Sequence, residues 1–266
     1  MSRRRYLRAS CGALILLAGA CRSNAENAAS GPSTPHSATT KPTGTPPAED
    51  DGPPTVEEFY GLRTGPAPMG AGQCTLSVHD LGTLTVHSGR VEASDPFVNL
   101  GYGLVAAVPI GQHPVLLTAA DIPNSDGTTS QSRNAYLSLV LADEPPDAIE
   151  YLTPEGKPPA PPGQLYGVSV DAGLAGFVDA AAVADLPADF STKVVETGRP
   201  DDWITRVGAS QLGYLNTVVP SAPGQENIIF CASGWGDGFY PVLVTRAADH
   251  RITGLHLDFG VVYTEP

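Results

Sequence analysis

The sequence is poor in charge, in aromatic rings and in cysteine. Charged residues make up 16% of the 266 positions and aromatics 7%, which is too little for long amphipathic helices laced with ion pairs. Positive charge is the scarcer sign: 15 Lys and Arg stand against 28 Asp and Glu, a formal net charge of −13. Arg3, Arg4, Arg5 and Arg8 take up four of those basic residues, so the chain after them is more acidic still. A field of that sign repels phosphate backbones and anionic headgroups, which argues against nucleic acid as a partner. No apolar run approaches the roughly 20 residues that a spanning helix needs. Also missing are a calcium loop, a His-Glu-x-x-His pair, a phosphate loop and a Gly-x-Ser-x-Gly elbow, so no metal and no cofactor is expected. The histidines His79, His87, His113, His250 and His256 are scattered and read as strand-surface or core residues. What is abundant is Gly (29) and Pro (26), the profile of many short strands joined by turns.

The N-terminus carries the most specific pattern. Ser2-Arg3-Arg4-Arg5-Tyr6-Leu7-Arg8 resembles a twin-arginine export signal, and the short apolar run Gly12 to Ala20 follows it. Residues 1–20 therefore read as a signal peptide. Ala18-Gly19-Ala20-Cys21 has two readings. As a lipobox, with Ala18 where Leu is usual, it makes Cys21 the lipid-attachment residue and the membrane a partner through that anchor. As a plain A-x-A site it leaves Cys21 a free thiol. Residues 21–54 are rich in Ser, Thr, Pro, Ala and Gly with no apolar periodicity, a composition that cannot bury a core and suits a disordered tether. The expected place of work is the outer face of the cell membrane, or otherwise the medium. Cys74 and Cys231 remain in the 55–266 region, where they either form one disulfide or stay as buried thiols. A bond closing so long a loop is worth about 4–5 kcal/mol by chain entropy.

From residue 55 the pattern is mainly β: antiparallel, sandwich-like sheets with one or two short helices. Thr75 to His79 and Thr83 to His87 alternate apolar and polar across Asp80-Leu81-Gly82. Leu104 to Val108, Val115 to Thr118 and Ala135 to Leu141 continue the theme. The proline-dense stretch Glu144 to Gly163 reads as a surface connector that resists both helix and ladder. Helices are expected over Asp179 to Phe190 and Asp202 to Leu215, the second capped by Asp201 or Asp202. Ile228 to Ala232, Phe239 to Thr245 and Ile252 to Phe259 read as a closing antiparallel meander.

Ser233-Gly234-Trp235-Gly236-Asp237-Gly238-Phe239-Tyr240-Pro241, with the closing Leu257-Asp258-Phe259, resembles domain-of-unknown-function family 4241. Leu84 to Pro96, Arg133 to Tyr136 and Val170 to Ala180 are similar to it as well. The likeness spans about residues 75–262, with Ser94 and Tyr151 where the family is expected to carry Cys and Trp. It implies an architecture and supplies no chemistry.

The candidate site residues are Asp95, Asp171, Asp179, Asp237 and Asp258, each beside Gly, Pro or a strand end, and Trp235 on a glycine loop. The bland role for such aspartates is to fix turns through their own backbone; the functional one is to hold a ligand or act as an acid/base pair. Trp235 on a loop is a contact for a sugar or a protein, or else core. The leading expectation is a non-enzymatic binding module with a protein or small-ligand partner. A hydrolase pairing Asp171 with Asp237 or Asp258 is the alternative, and an immunity-type partner of a secreted protein is the third.

Overall fold

The computed structural model describes residues 52–124, 130–186, 190, 202–220, 222 and 224–264. The expected signal peptide, Cys21 and the expected tether as far as residue 51 lie outside them. The strands are β1 Gly65–Gly70, β2 Gly72–Val86, β3 Arg90–Ser94, β4 Leu104–Ala107, β5 Gly111–Pro123, β6 Ser130–Val140 and β7 Ala148–Tyr151. They continue as β8 Gly167–Val170, β9 Leu174–Asp179, β10 Tyr214–Val218, β11 Asn227–Ala232, β12 Gly238–Arg246, β13 Ile252–Asp258 and β14 Tyr263–Thr264. Helix α1 spans Trp203–Ala209. The larger sheet runs β14-β1-β2-β5-β6-β13-β12-β7, with β8 also on β12; the smaller runs β10-β11-β9-β3-β4. Pairing is antiparallel throughout except for β1 with β14. The result is the expected mainly-β, sandwich-like fold.

The smaller sheet is buried on both faces, and its strands show why. Along β11, Ile229 and Cys231 enter the core between the sheets, while Ile228 and Phe230 join a second cluster with Trp203, Val207, Phe190 and Leu215. Successive side chains point to opposite faces, so a strand covered twice must be apolar without alternation. Trp203 sits at the centre of the second cluster, with Phe97, Phe190 and Phe230 within 6.1 Å of it, centroid to centroid.

Three expectations need correction. Of the helix expected over Asp179 to Phe190, Ala180–Ala182 form a 3-10 turn, residues 183–186 are not helical and Phe190 is helical; residues 187–189 lie outside the described set. Asp179 is engaged by donors from the turn between β2 and β3, and Pro187 disfavours helical geometry just before it. The second helix stops at Ala209, and Tyr214 begins β10; Gly213 turns the chain between them at φ 60°. Asp202 does cap that helix, accepting from Thr205 N at 2.7 Å. The proline-dense connector contains β7, which pairs with β12 from Leu243 to Arg246. Cys74 and Cys231 are separate buried thiols, not a disulfide. They lie in different sheets, the Cys74 thiol facing Ala67 O at 3.7 Å across the β1–β2 pair.

Candidate functional site

Strands β3 and β9 lie side by side with Val91 opposite Asp179 and Ser94 opposite Gly176. Asp95 follows β3 at one end of this pair, and Asp179 closes β9 at the other. Both carboxylates are fully buried. Each is satisfied by backbone N–H groups.

Asp95 gathers loops. Its Oδ2 accepts from Asp171 N at 3.0 Å and Ala172 N at 2.8 Å, and its Oδ1 from Phe97 N at 2.9 Å. Asn99 accepts from Asp95 N at 2.8 Å and donates to Ser169 O at 2.9 Å, so loop 95–103 is pinned to the end of β8. Burial raises the Asp95 pKa, opposed by those N–H groups and reinforced by the Asp171 charge. Glu92 lies beneath the same loop, 2% exposed, and accepts from Gly101 N at 2.8 Å. Burial raises its pKa too. Gly103 must be glycine, since a Cβ there would stand 2.3 Å from Ala93 O.

The 171–173 turn carries the lacing onward to the glycine loop. Ser233 N donates to Gly173 O at 2.9 Å, Ser233 Oγ to Gly236 O at 2.6 Å, and Tyr240 OH to Gly236 O at 2.8 Å. Gly236 takes φ 86°, where a side chain would be strained. Trp235 rises from this loop. Its Nε1 donates to Gly260 O at 3.2 Å, and Arg133 stands over the ring at 5.1 Å while its Nη1 donates to Gly234 O at 3.3 Å. The ring is nevertheless 52% exposed. Asp258 fixes the neighbouring turn by accepting from Gly260 N at 2.8 Å. Asp171 and Asp237 are exposed on the same rim, and Tyr102 (76%) and Val98 (49%) project from the Asp95 loop.

Asp179 is at the opposite end. It accepts from His87 N at 2.6 Å, Ser88 N at 2.8 Å and Ala181 N at 2.8 Å. Burial pushes its pKa up, but the bonds from Ser88, Ala181 and His87 together outweigh it and leave the carboxyl below the usual range. Glu226 beside it meets His87 Nδ1 at 2.9 Å, and that bond is the main reason its pKa falls.

Of the predicted residues, the structure thus gathers Asp95, Asp171, Trp235, Asp237 and Asp258 onto one rim and leaves Asp179 apart. Asp95, Asp179 and Asp258 serve backbone turns; Asp171 and Asp237 reach solvent. Nothing local to Arg133 in the sequence signals its contact with a ring a hundred residues on. Among the described residues no group of three or more His, Cys, Asp or Glu is placed to hold a metal ion. An open groove of about 430 Å³ lies elsewhere, lined by Leu81, Arg206, Tyr214 and Asn216, with Arg206 already donating to Thr217 Oγ1 at 2.9 Å.

No curated protein and no solved structure matches the chain. The rim's segments from β3 through the glycine loop to Leu257 fall inside residues 84–257, which match the family described as protein of unknown function (DUF4241); the chain belongs to that family.

Proposed function

We propose that the chain is an exported binding module, anchored to the outer face of the membrane by lipid on Cys21, that meets a protein partner through Trp235 and the exposed Asp171 and Asp237. One observation carries the contact: a tryptophan ring is half exposed on a loop held from several sides. A ring that size buries 150–250 Å² in a core, and Trp203 in the same chain does so. Keeping a second one in water on a fixed loop forgoes that gain but removes most of the ordering entropy that a contact must overcome. Tryptophan is also the residue type most enriched among binding hot spots. The partner that fits is apolar at the centre and basic at the edge, to suit Asp171, Asp237 and the net charge of −13.

The contact is tested by capture with the chain and with Trp235→Ala, and a specific protein recovered by the first and lost by the second is the expected result. Equal recovery by both overturns it. The anchor is tested separately, by palmitate labelling of the chain and of Cys21→Ala; label on the former alone is expected, and equal labelling of both removes the anchor.

A further inference from the structure

The outer face of the larger sheet holds a seam of buried polar side chains that the rim does not use. His256 is 1% exposed, Thr245 3%, Thr253 4%, and Ser138 and Thr118 are fully buried. His256 Nδ1 lies 2.8 Å from Ser138 Oγ and its Nε2 3.0 Å from Thr245 Oγ1. Thr253 donates to Thr245 Oγ1 at 2.9 Å, and Thr245 in turn is directed at Gly254 O at 3.5 Å. That chain of donors makes Nε2 the protonated nitrogen and leaves Nδ1 to accept from Ser138. The ring is neutral, with both nitrogens engaged.

The seam is roofed by the segment before β1. Phe59, 3% exposed, packs edge-on against His256 at 4.7 Å and Tyr136 at 5.5 Å. Leu62 N donates to Thr118 Oγ1 at 3.0 Å, and Tyr151 OH to Gly52 O at 2.9 Å. Within itself the segment is a closed turn: Thr55 and Glu58 bond reciprocally, and Arg63 holds Val56 O and Glu57 O. It is docked as a unit through an aromatic side chain and a few long-range bonds, outside any sheet ladder. Leu62 takes φ 66°, a conformation that a leucine relaxes from once free.

We propose that residues 52–63 are a proton-released strap, seated on the sheet while His256 is neutral and lifted when the ring takes up a proton. The groups facing the ring are Phe59 from the strap, Tyr136 and Ser138 from β6, and Thr245 from β12, none charged at neutral pH. The charged residues adjoining these positions in sequence are Glu58, Arg246 and Asp258; the ring nitrogens themselves are taken by Ser138 and Thr245. Burial pushes the His256 pKa down to about 3, whereas an uncovered imidazole titrates near 6.5. The seated state binds fewer protons, so acid favours the lifted one: stability of the seated strap is full above about 6.5 and is lost as pH falls toward the covered value. The opening constant rises up to about tenfold per pH unit in that window, or roughly 100-fold between pH 7.5 and 4.5. Lifting these residues also frees about 40 Å of extended chain, which on an anchored domain lengthens the stalk.

Amide exchange of the full chain at pH 7.5 and 4.5, corrected for intrinsic rates, tests this. Protection over 56–62 should fall about 100-fold relative to β9 on acidification. His256→Gln should keep the strap seated at both pH values, and Phe59→Ala should leave it unprotected at both. Loss of protection in β9 together with the strap, an unchanged strap, or a pH-dependent strap in a folded His256→Gln protein would each overturn the proposal. Should the glutamine variant not fold, the imidazole titration of His256 in the parent, followed by NMR, decides the matter: protonation of the ring in step with strap release supports the proposal, and a strap released while the ring stays neutral overturns it.

Discussion

The β3–β9 pair ends in a buried aspartate on either side, and the two ends do different work. Asp179 and Asp95 each accept from three backbone N–H groups. At the Asp179 end the carboxyl ties the 87–88 turn to the 3-10 turn after β9 and is held below its usual pKa. At the Asp95 end burial and the Asp171 charge win, the carboxyl is raised, and the three loops it helps to tie hold Trp235, Tyr102 and Val98 out in solvent. One acid closes the fold; the other braces a surface. The same residue type with the same count of donors is therefore no guide to its role until its surroundings are known.

The sharpest way to break this comparison is to remove the closing acid. Asp179→Ala leaves the N–H groups of His87, Ser88 and Ala181 without their acceptor, and at about 1–3 kcal/mol for a lost charged bond the total loss should reach 3 kcal/mol or more in urea unfolding. A loss under about 1 kcal/mol would mean that water replaces the carboxylate and that this end is not closed.

The next effect is a difference in sign. The stability that Asp179 supplies is present above the unfolded carboxyl value, near 3.9, and is lost as pH falls through its lowered folded value. Asp179→Asn should flatten the acid limb of stability against pH. Asp95 runs the other way, since its ionisation disfavours the fold as pH rises past about 4. Asp95→Asn should therefore compare better with the parent at pH 7 than at pH 4. Parallel pH profiles for the two variants would erase the distinction.

The smallest effect on stability belongs to the rim itself. Trp235→Ala removes one exposed hydrogen bond and one cation–π contact, and should lower stability by about 1 kcal/mol or less. A loss near the 3–5 kcal/mol of a core tryptophan would mark Trp235 as a packing residue.

How much of this the sequence disclosed varies with the range of the interaction. The strands Thr75 to His79 and Thr83 to His87 were legible because their alternation is local, although they form one bulged strand, β2, with both halves on β5. The Asp202 cap was legible for the same reason. After Asp179 the three alanines look like a helix start but form only a 3-10 turn, because the donors from His87 and Ser88 that hold Asp179 come from ninety residues away. Strand β7 was hidden by the prolines around it, since pairing with β12 overrides local composition. In the site, Asp95, Asp171, Trp235, Asp237 and Asp258 were named from turn chemistry, but their gathering on one rim depends on the β3–β9 register. Arg133 over Trp235, and Ser138 with His256, are pairings across the sheets that no motif records.

The central claim is that the Trp235 rim is a contact surface, and affinity for the captured partner tests it directly. Trp235→Ala should bind at least about 30-fold more weakly than the parent, the mark of a hot spot of 2 kcal/mol or more, with the unfolding midpoint nearly unchanged. Equal affinity in the two proteins would contradict the account.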